Sequence, residues 1–371
     1  MGLFLLQVFL TALHFVLEFT YCLCSVWCSE WRRAAVFVKA PSSHSLSFYC
    51  VALFEQSINM TMEVRMNTVN AVSSDYRVRD GTRLRLTHFV PNDAALEVEG
   101  KTEHGAVLPP LLLVHGYGEH MGRYTECVAV LQQIGFDVWG YDARGHGLSD
   151  GDRGVMHRDD AFVDDFIELF EWVKQLTGQT PVVIGHSMGG LVVALAVAQK
   201  HIKPAALVLS SPALRVHMGF FQKVLLGVGL CLFPDRALTP PAVDPMYLSH
   251  DARVVSQYQV DPLVHRKLSP RMANFICTRG EQVQAHVEAF DMPILLMYAG
   301  NDHVVDASGS DAWAALLETR QLNRGMQIDA HALTIHCYRS AYHEIFNESE
   351  PERTRILADL TEWLTDLVKK T

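Results

Sequence analysis

The sequence predicts an α/β protein whose mostly parallel sheet carries helices on both faces and is interrupted by one insertion. Three observations predict it. From Leu111 onward, short apolar runs alternate with helix-like segments, the pattern of buried parallel strands and crossover helices. The run Pro181-Val182-Val183-Ile184 leads into Gly185-His186-Ser187-Met188-Gly189 and then into the small, apolar stretch 190–198. Strand, G-x-S-x-G, helix is a turn so sharp that only small residues fit beside the serine. Finally, the alternation stops between Ser211 and Asp291 and then resumes. One long insertion therefore separates two strands of the same sheet.

The elements follow in order. Leu3–Phe19 is strongly apolar, broken by Gln7, Thr11, His14 and Glu18, and apolar character continues to Cys28. Residues 3–28 are long enough to span a bilayer. They make a poor signal peptide, because nothing basic precedes them and no A-x-A site follows. Arg32, Arg33 and Lys39 lie on the C-terminal side. If the segment spans, they would keep the rest of the chain in the cytoplasm. Residues 40–60 show no clear period, and Met60, Met62 and Met66 stand just before the domain. The leader 1–66 therefore reads equally as a membrane anchor or as an over-extended start of the reading frame. The expected location is cytoplasmic, with membrane association through residues 3–28 if they anchor.

The domain is expected over 67–371. Tyr76–Leu86 alternates around Asp80-Gly81, a hairpin signal, and 92–107 is a polar loop. Strands are expected at 111–114, 136–141, 181–184, 205–210, 293–299 and 332–338. Helices are expected at 122–133, 160–176, 188–200, 309–319 and 351–369. Asp142 and Arg144 end a strand and read as loop-holding residues. The insertion, 212–289, should form a cap. Its stretch 218–233 is almost wholly apolar, with Gln222 and Lys223 as exceptions. Either this is a helix packed on the domain, or it is a greasy lid that lines an acyl tunnel or touches a membrane. The second reading makes Leu225 and Leu226 substrate contacts.

A serine hydroxyl is a weak nucleophile and needs a base, which itself needs an orienting carboxylate. On a strand–turn–helix of this kind the partners follow as acid, then histidine. The apolar run 293–299 leads into Gly300-Asn301-Asp302-His303-Val304-Val305-Asp306. Asp302 sits where the chain leaves the strand, at the carboxyl edge of the sheet. Asp306 is the competing acid and otherwise a turn or helix-cap residue. His331, His336 and His343 qualify by order. His331 lies in a polar connection and His336 inside a strand. His343 lies on a loop past that strand and can swing over Ser187, so it is the expected base. An oxyanion hole needs one backbone N–H from the residue after the nucleophile and one from the loop after the 111–114 strand. Those are Met188 and Tyr117.

With these motifs assembled, the chain resembles the monoacylglycerol lipase and lysophospholipase group of the α/β-hydrolases, often labelled serine aminopeptidase S33-like. The resemblance rests on 115–120 (HGYGEH), Gly122-Arg123-Tyr124, 142–149 (DARGHGLS), 185–190, Asp261-Pro262-Leu263, 300–302 and Ala341-Tyr342-His343-Glu344. It spans roughly residues 72–370. It implies the α/β-hydrolase fold and an ester hydrolase acting on one long acyl chain. Carried over by motif, Ser187 matches the nucleophile, Asp302 the acid, His343 the base, and Tyr117 and Met188 the oxyanion donors. The S33 label also covers proline iminopeptidases. Those usually carry tryptophan after the nucleophile, where this chain has Met188, and need a cap carboxylate for the substrate amine. Glu281 and Glu288 are the available candidates. A short-chain carboxylesterase would use the same machinery on a smaller acyl group. A catalytically silent binding protein could share the fold without the chemistry.

Composition narrows the partners. The chain has 371 residues, 49% of them hydrophobic, enough for a sizeable core. A net charge of −10 and the lack of a basic cluster argue against nucleic acid. No metal-spaced Cys/His set or phosphate-binding Gly loop occurs, so cofactor-free chemistry is expected, and the resemblance implies a lipid-like ester as its substrate. Composition says nothing of oligomeric state. Of eight cysteines, Cys127, Cys231, Cys277 and Cys337 fall in the domain, widely spaced within apolar segments. They read as buried thiols in a reducing compartment.

Overall fold

The computed structural model describes residues 69–90, 108–238, 244–323 and 332–369. All belong to one compact unit, Asn67–Thr371. The leader, the 92–107 loop and His331 lie outside the described residues.

Eight strands form one sheet in the order β1-β2-β4-β3-β5-β6-β7-β8. β1 (Ala71–Arg77) and β2 (Arg83–Phe89) are the hairpin expected around Gly81. β2 runs antiparallel to β4 (Val138–Tyr141). β3 (Leu111–Val114), β4, β5 (Val182–His186), β6 (Ala206–Ser210), β7 (Ile294–Ala299) and β8 (Leu333–Tyr338) are parallel. This is the mostly parallel sheet of the α/β-hydrolase fold.

The five inner strands β3 to β7 are buried on both faces, which is why they read as continuous apolar runs. Alternate residues serve opposite cores. Leu112, Val183 and Leu209 face α2 (Ala161–Thr177), α3 (Met188–Ala198) and α8 (Ser308–Asn323). Leu111, Val182 and Val208 face α1 (Thr125–Ile134) and α9 (Glu352–Lys369). Every residue of α3 is buried, as expected of a helix that is apolar all round. β8 is an edge strand and half-exposed.

Boundaries differ from the sequence expectation where caps decide them. α1 starts at Thr125 rather than 122, because a separate 3₁₀ turn occupies Met121–Arg123. It ends at Gly135, whose φ of 98° lies where glycine is favoured. β4 consequently begins at Val138, not 136.

The insertion between β6 and β7 holds α4 (Phe220–Leu232), α5 (Ala252–Val260), α6 (Pro270–Thr278) and α7 (Gly280–Ala285). Its last part is core: Met272, Phe275 and Val283 join the cluster on the α3 face. Its first part stands off. In α4 only Gly229 is buried, while Phe221 is 85% exposed and Leu225 70%. Of the two readings of this stretch, a helix packed on the domain describes little of α4.

The expectation of four buried thiols needs correction. Cys231 and Cys337 are exposed and Cys277 is half-buried; of these four thiols only Cys127 is fully buried. Cys231 lies on the outward side of α4 and Cys337 on the edge strand β8. Both are apolar in sequence context yet lack a covering layer.

Candidate active site

Ser187 sits between β5 and α3 with φ 54° and ψ −118°, a strained conformation for a residue with a side chain. Its neighbours show why the turn demands glycine. A Cβ on Gly189 would stand 2.3 Å from the Val114 carbonyl oxygen, and one on Gly185 would stand 2.8 Å from Gly190 Cα. The strained turn is pinned on both sides, since Ser187 N–H donates to the Ser210 carbonyl and the Ser187 carbonyl accepts from Ala213 N–H.

The acid and the base arrive on adjacent loops. After β7, Gly300 N–H donates to the Tyr338 carbonyl and Asn301 N–H to that of Ala341. This lacing holds the loop past β7 against the loop past β8. Asp302 Oδ2 lies 2.7 Å from His343 Nδ1, and His343 Nε2 lies 2.8 Å from Ser187 Oγ. The other Asp302 oxygen accepts from Val304 and Val305 N–H at 2.8 and 2.9 Å. The side chains of Asp302 and His343 are 1% and 4% exposed, so water does not compete for these bonds.

The electrostatics agree with the geometry. Burial pushes the Asp302 carboxyl up, but the charge and hydrogen bond of His343 and the two backbone N–H groups outweigh it, and the net shift is downward. Burial would push His343 down, yet Asp302 outweighs it and the net shift is upward. An ionised Asp302 holds the proton on Nδ1 and leaves the Nε2 lone pair facing the Ser187 hydroxyl. Asp306 plays another part: its carboxylate accepts from Ser308 N–H and Oγ–H at the start of α8. His336 lies on β8, 3.8 Å from Asp359.

Met188 opens α3, so its N–H is among the first donors of the helix that have no intrahelical partner. The loop past β3 abuts the serine closely: a Cβ on Gly116 would stand 3.2 Å from Ser187 Cβ. Tyr117 follows, its hydroxyl donating to the Lys267 carbonyl of the insertion.

A cavity of about 170 Å³ opens beside Ser187 and His343. The core side supplies Tyr117, Glu119, His186, Val304 and Glu344; the insertion supplies Leu248, Tyr258, His265, Arg266 and Leu268. Leu225 and Leu226 do not line it. On α4 Leu225 faces outward and Leu226 is half-buried. A wider cleft of about 700 Å³ over Tyr76, Asp165 and Trp172 contains none of Ser187, Asp302 and His343.

Several lining residues escaped the sequence. Arg123 donates to Glu119 at 2.8 Å and to both Glu344 oxygens at 2.6 Å, and its guanidinium lies 4.8 Å from the centre of the Tyr258 ring. Glu119 also accepts from Gly116 N–H and Tyr124 hydroxyl. Burial pushes the Glu119 carboxyl up, but Arg123 and the neighbouring donors outweigh it and hold it well below the usual range. The signal was present as Glu119 and Arg123 four apart inside a Gly-rich motif. Nothing local marked Leu248, Tyr258 or His265. Asp142 holds the next loop, accepting from Met121 and Leu148 N–H. Arg144 pairs with Asp80 and Asp165. Both are structural, as expected.

Known proteins show the same arrangement of segments. Residues 107–350 match the family model described as serine aminopeptidase, S33. The chain is 33% identical over 262 residues to a monoacylglycerol lipase of Mycolicibacterium smegmatis, covering 68% of this chain and 87% of that protein. It is 28% identical over 247 residues to the phospholipase YtpA of Bacillus subtilis, covering 65% and 90%. The crystal structure of Paleococcus ferrophilus monoacylglycerol lipase aligns with a TM-score of 0.61 at 30% identity, over 72% of this chain and 96% of that one. A soluble variant of monoglyceride lipase from Saccharomyces cerevisiae, in complex with a substrate analog, aligns with a TM-score of 0.68 over 81% and 97%. Its 18% identity makes that a likeness of fold.

Proposed function

The chain belongs to the serine aminopeptidase S33 family of α/β-hydrolases, and on that premise we propose a serine ester hydrolase acting on esters of one long acyl chain. The substrate class is a monoacylglycerol or a lysophospholipid. The observation that carries the reading is the unbroken chain Ser187 Oγ, His343, Asp302, with links of 2.8 and 2.7 Å. His343 takes the Ser187 proton as Oγ attacks the ester carbonyl. The oxyanion is held by the N–H groups of Tyr117 and Met188. His343 then protonates the leaving alcohol, and water activated by the same imidazole releases the fatty acid from the acyl-enzyme. No cofactor enters these steps.

An ester fits the cavity better than a peptide amine. Glu281 and Glu288 do not line it. The carboxylates that do, Glu119 and Glu344, are both engaged by Arg123. The relatives named as a monoacylglycerol lipase and a phospholipase support the same choice.

One observation favours a second reading. A volume of about 170 Å³ is below the ~300–1,000 Å³ usual for ligand pockets, which suits a short-chain carboxylesterase unless the insertion moves. A panel of monoacylglycerols, lysophospholipids, short nitrophenyl esters and aminoacyl amides, with fluorophosphonate labelling of Ser187, decides. Long-chain esters should be turned over fastest. Cleavage confined to short esters, or to the amides, overturns the substrate assignment.

The lipid surface is the partner we infer for α4. Ten of the fifteen large apolar side chains exposed among the described residues lie between Phe220 and Val260. Such an apolar patch marks an interaction surface, and Lys223 gives it a cationic group for a phosphate headgroup. No helix of the described residues is long and apolar enough to cross a membrane, so the contact proposed for α4 is peripheral.

A further inference from the structure

The base His343 has its own scaffold, and half of that scaffold comes from the insertion. Past β8 the chain runs Tyr342-His343-Glu344 into a 3₁₀ turn, Ile345–Asn347, and then Glu348. Alongside lies the segment Tyr247–Asp251, just ahead of α5. The two are laced together. Glu344 N–H donates to the Leu248 carbonyl at 2.9 Å, and Ser249 Oγ donates to the Asn347 carbonyl at 2.7 Å.

Glu348 is the centre of this seam. Its side chain is 1% exposed, while that of His250 is 42% exposed. One carboxylate oxygen accepts from Tyr342 N–H at 2.7 Å and bonds His250 Nδ1 at 2.8 Å. The other accepts from His250 N–H and Ser349 N–H. The imidazole of His250 also stacks on the Tyr342 ring, with centres 3.7 Å apart and planes within 17°. Tyr342 precedes His343 directly. The same segment reaches the acid, since Tyr247 stacks on His303, the residue after Asp302, at 4.1 Å.

We propose that His250 and Glu348 form a positioning pair that holds the His343 loop against the insertion and so fixes the imidazole over Ser187. The proposal rests on the reading of His343 as the base. Glu348 fixes the backbone one residue before the base. His250 closes the carboxylate's shell and presses on the adjoining ring. Neither touches the reacting atoms. A displacement of about 1 Å at a catalytic group can cost roughly a hundredfold in rate, so a loosened loop shows in turnover before it shows in stability. The same segment carries Leu248 into the cavity wall, so the insertion that lines the cavity also sets the base.

His250 is the residue to change, because its half-exposed ring can be removed while Glu348 keeps its three backbone N–H donors. His250→Ala and His250→Asn are compared with the unaltered full chain on a soluble nitrophenyl butyrate. Turnover is expressed per site labelled to completion by a fluorophosphonate, which removes any unfolded fraction. His250→Ala should lower kcat about tenfold, with KM and Tm unchanged. In His250→Asn the side-chain amide can still donate to Glu348, and most of the lost kcat should return. An unchanged kcat in His250→Ala, an effect on KM alone, or no recovery in His250→Asn overturns the pair. Ser187→Ala is run beside them. If it keeps its turnover, the base reading falls and the pair with it. If it is inactive while His250→Ala is as fast as the unaltered chain, only the pair falls.

Discussion

The two walls of the cavity beside Ser187 are built differently. The core wall hangs from the ends of β3, β5, β7 and β8, and its polar groups are buried and tied: Asp302 accepts three hydrogen bonds, and Glu119 and Glu344 share Arg123. The insertion wall mixes buried residues, Leu248 and His265, with helices that bury little. α5, which brings Tyr258 to the cavity, has no buried residue. A transition state needs fixed dipoles, so chemistry belongs on the tied wall. The other wall comes from the insertion and carries apolar Leu248 and Leu268 into the cavity, so substrate choice belongs there.

Substitutions on the two walls should therefore fail in different ways, and the core wall should fail hardest. Ser187→Ala should lose on the order of a millionfold in turnover with the fold intact by circular dichroism. Asp302→Asn should cost roughly ten-thousandfold by presenting the wrong imidazole tautomer. Asp306→Asn, on the same loop, should cost little turnover and at most about 1 kcal/mol of stability through its cap. Kinetics of both in folded protein would reverse the acid assignment if Asp306→Asn proved the slower.

Elsewhere on the insertion, beyond the cavity wall, Leu225→Asp with Leu226→Asp should leave short-ester turnover unchanged. Hydrolysis of monoacylglycerol in vesicles should drop about tenfold or more, since the exposed Leu225 alone can contribute ~1.5–3 kcal/mol on burial in lipid. Equal loss on both substrates would make α4 part of the catalytic wall and erase the contrast.

The smallest expected effect concerns pH. Turnover needs neutral His343, and Asp302 raises its pKa against the opposing pull of burial. Activity should thus appear as pH rises through a midpoint above ~6.5, the ordinary imidazole value. The residual activity of Asp302→Asn should rise at a lower pH. A pH–rate profile with the same midpoint in both proteins would mean that Asp302 does not act on the base.

The tied wall is also the legible one. Buried parallel strands write themselves as apolar runs, so β3 is found at its observed limits and β5 to β8 within a residue or two. Ser187, Asp302 and His343 stand at strand ends, where order along the chain narrows each to a few candidates. The open wall is legible only as an interruption. An apolar stretch in sequence does not say which way a helix faces, so it could not tell that Leu225 and Leu226 lie outside the cavity lining. Leu248, Tyr258 and His265 reach the cavity through the path of the insertion, which leaves no periodic trace. Cys231 and Cys337 mislead for a related reason: apolar neighbours along the chain are not a covering layer in space.

The positive φ of Ser187 bears on how such a protein could change its trade. Two residues could stand at position 187, a relaxed glycine and a strained serine, and only the serine can perform chemistry. Glycine suits the turn, whereas a residue with a side chain holds it at a cost on the order of 1–3 kcal/mol. One substitution to glycine would silence the nucleophile and relax the backbone together. Descent from enzyme to mute binding protein is therefore downhill in folding free energy at this residue, and the return is uphill. A serine here is held against the preference of the backbone.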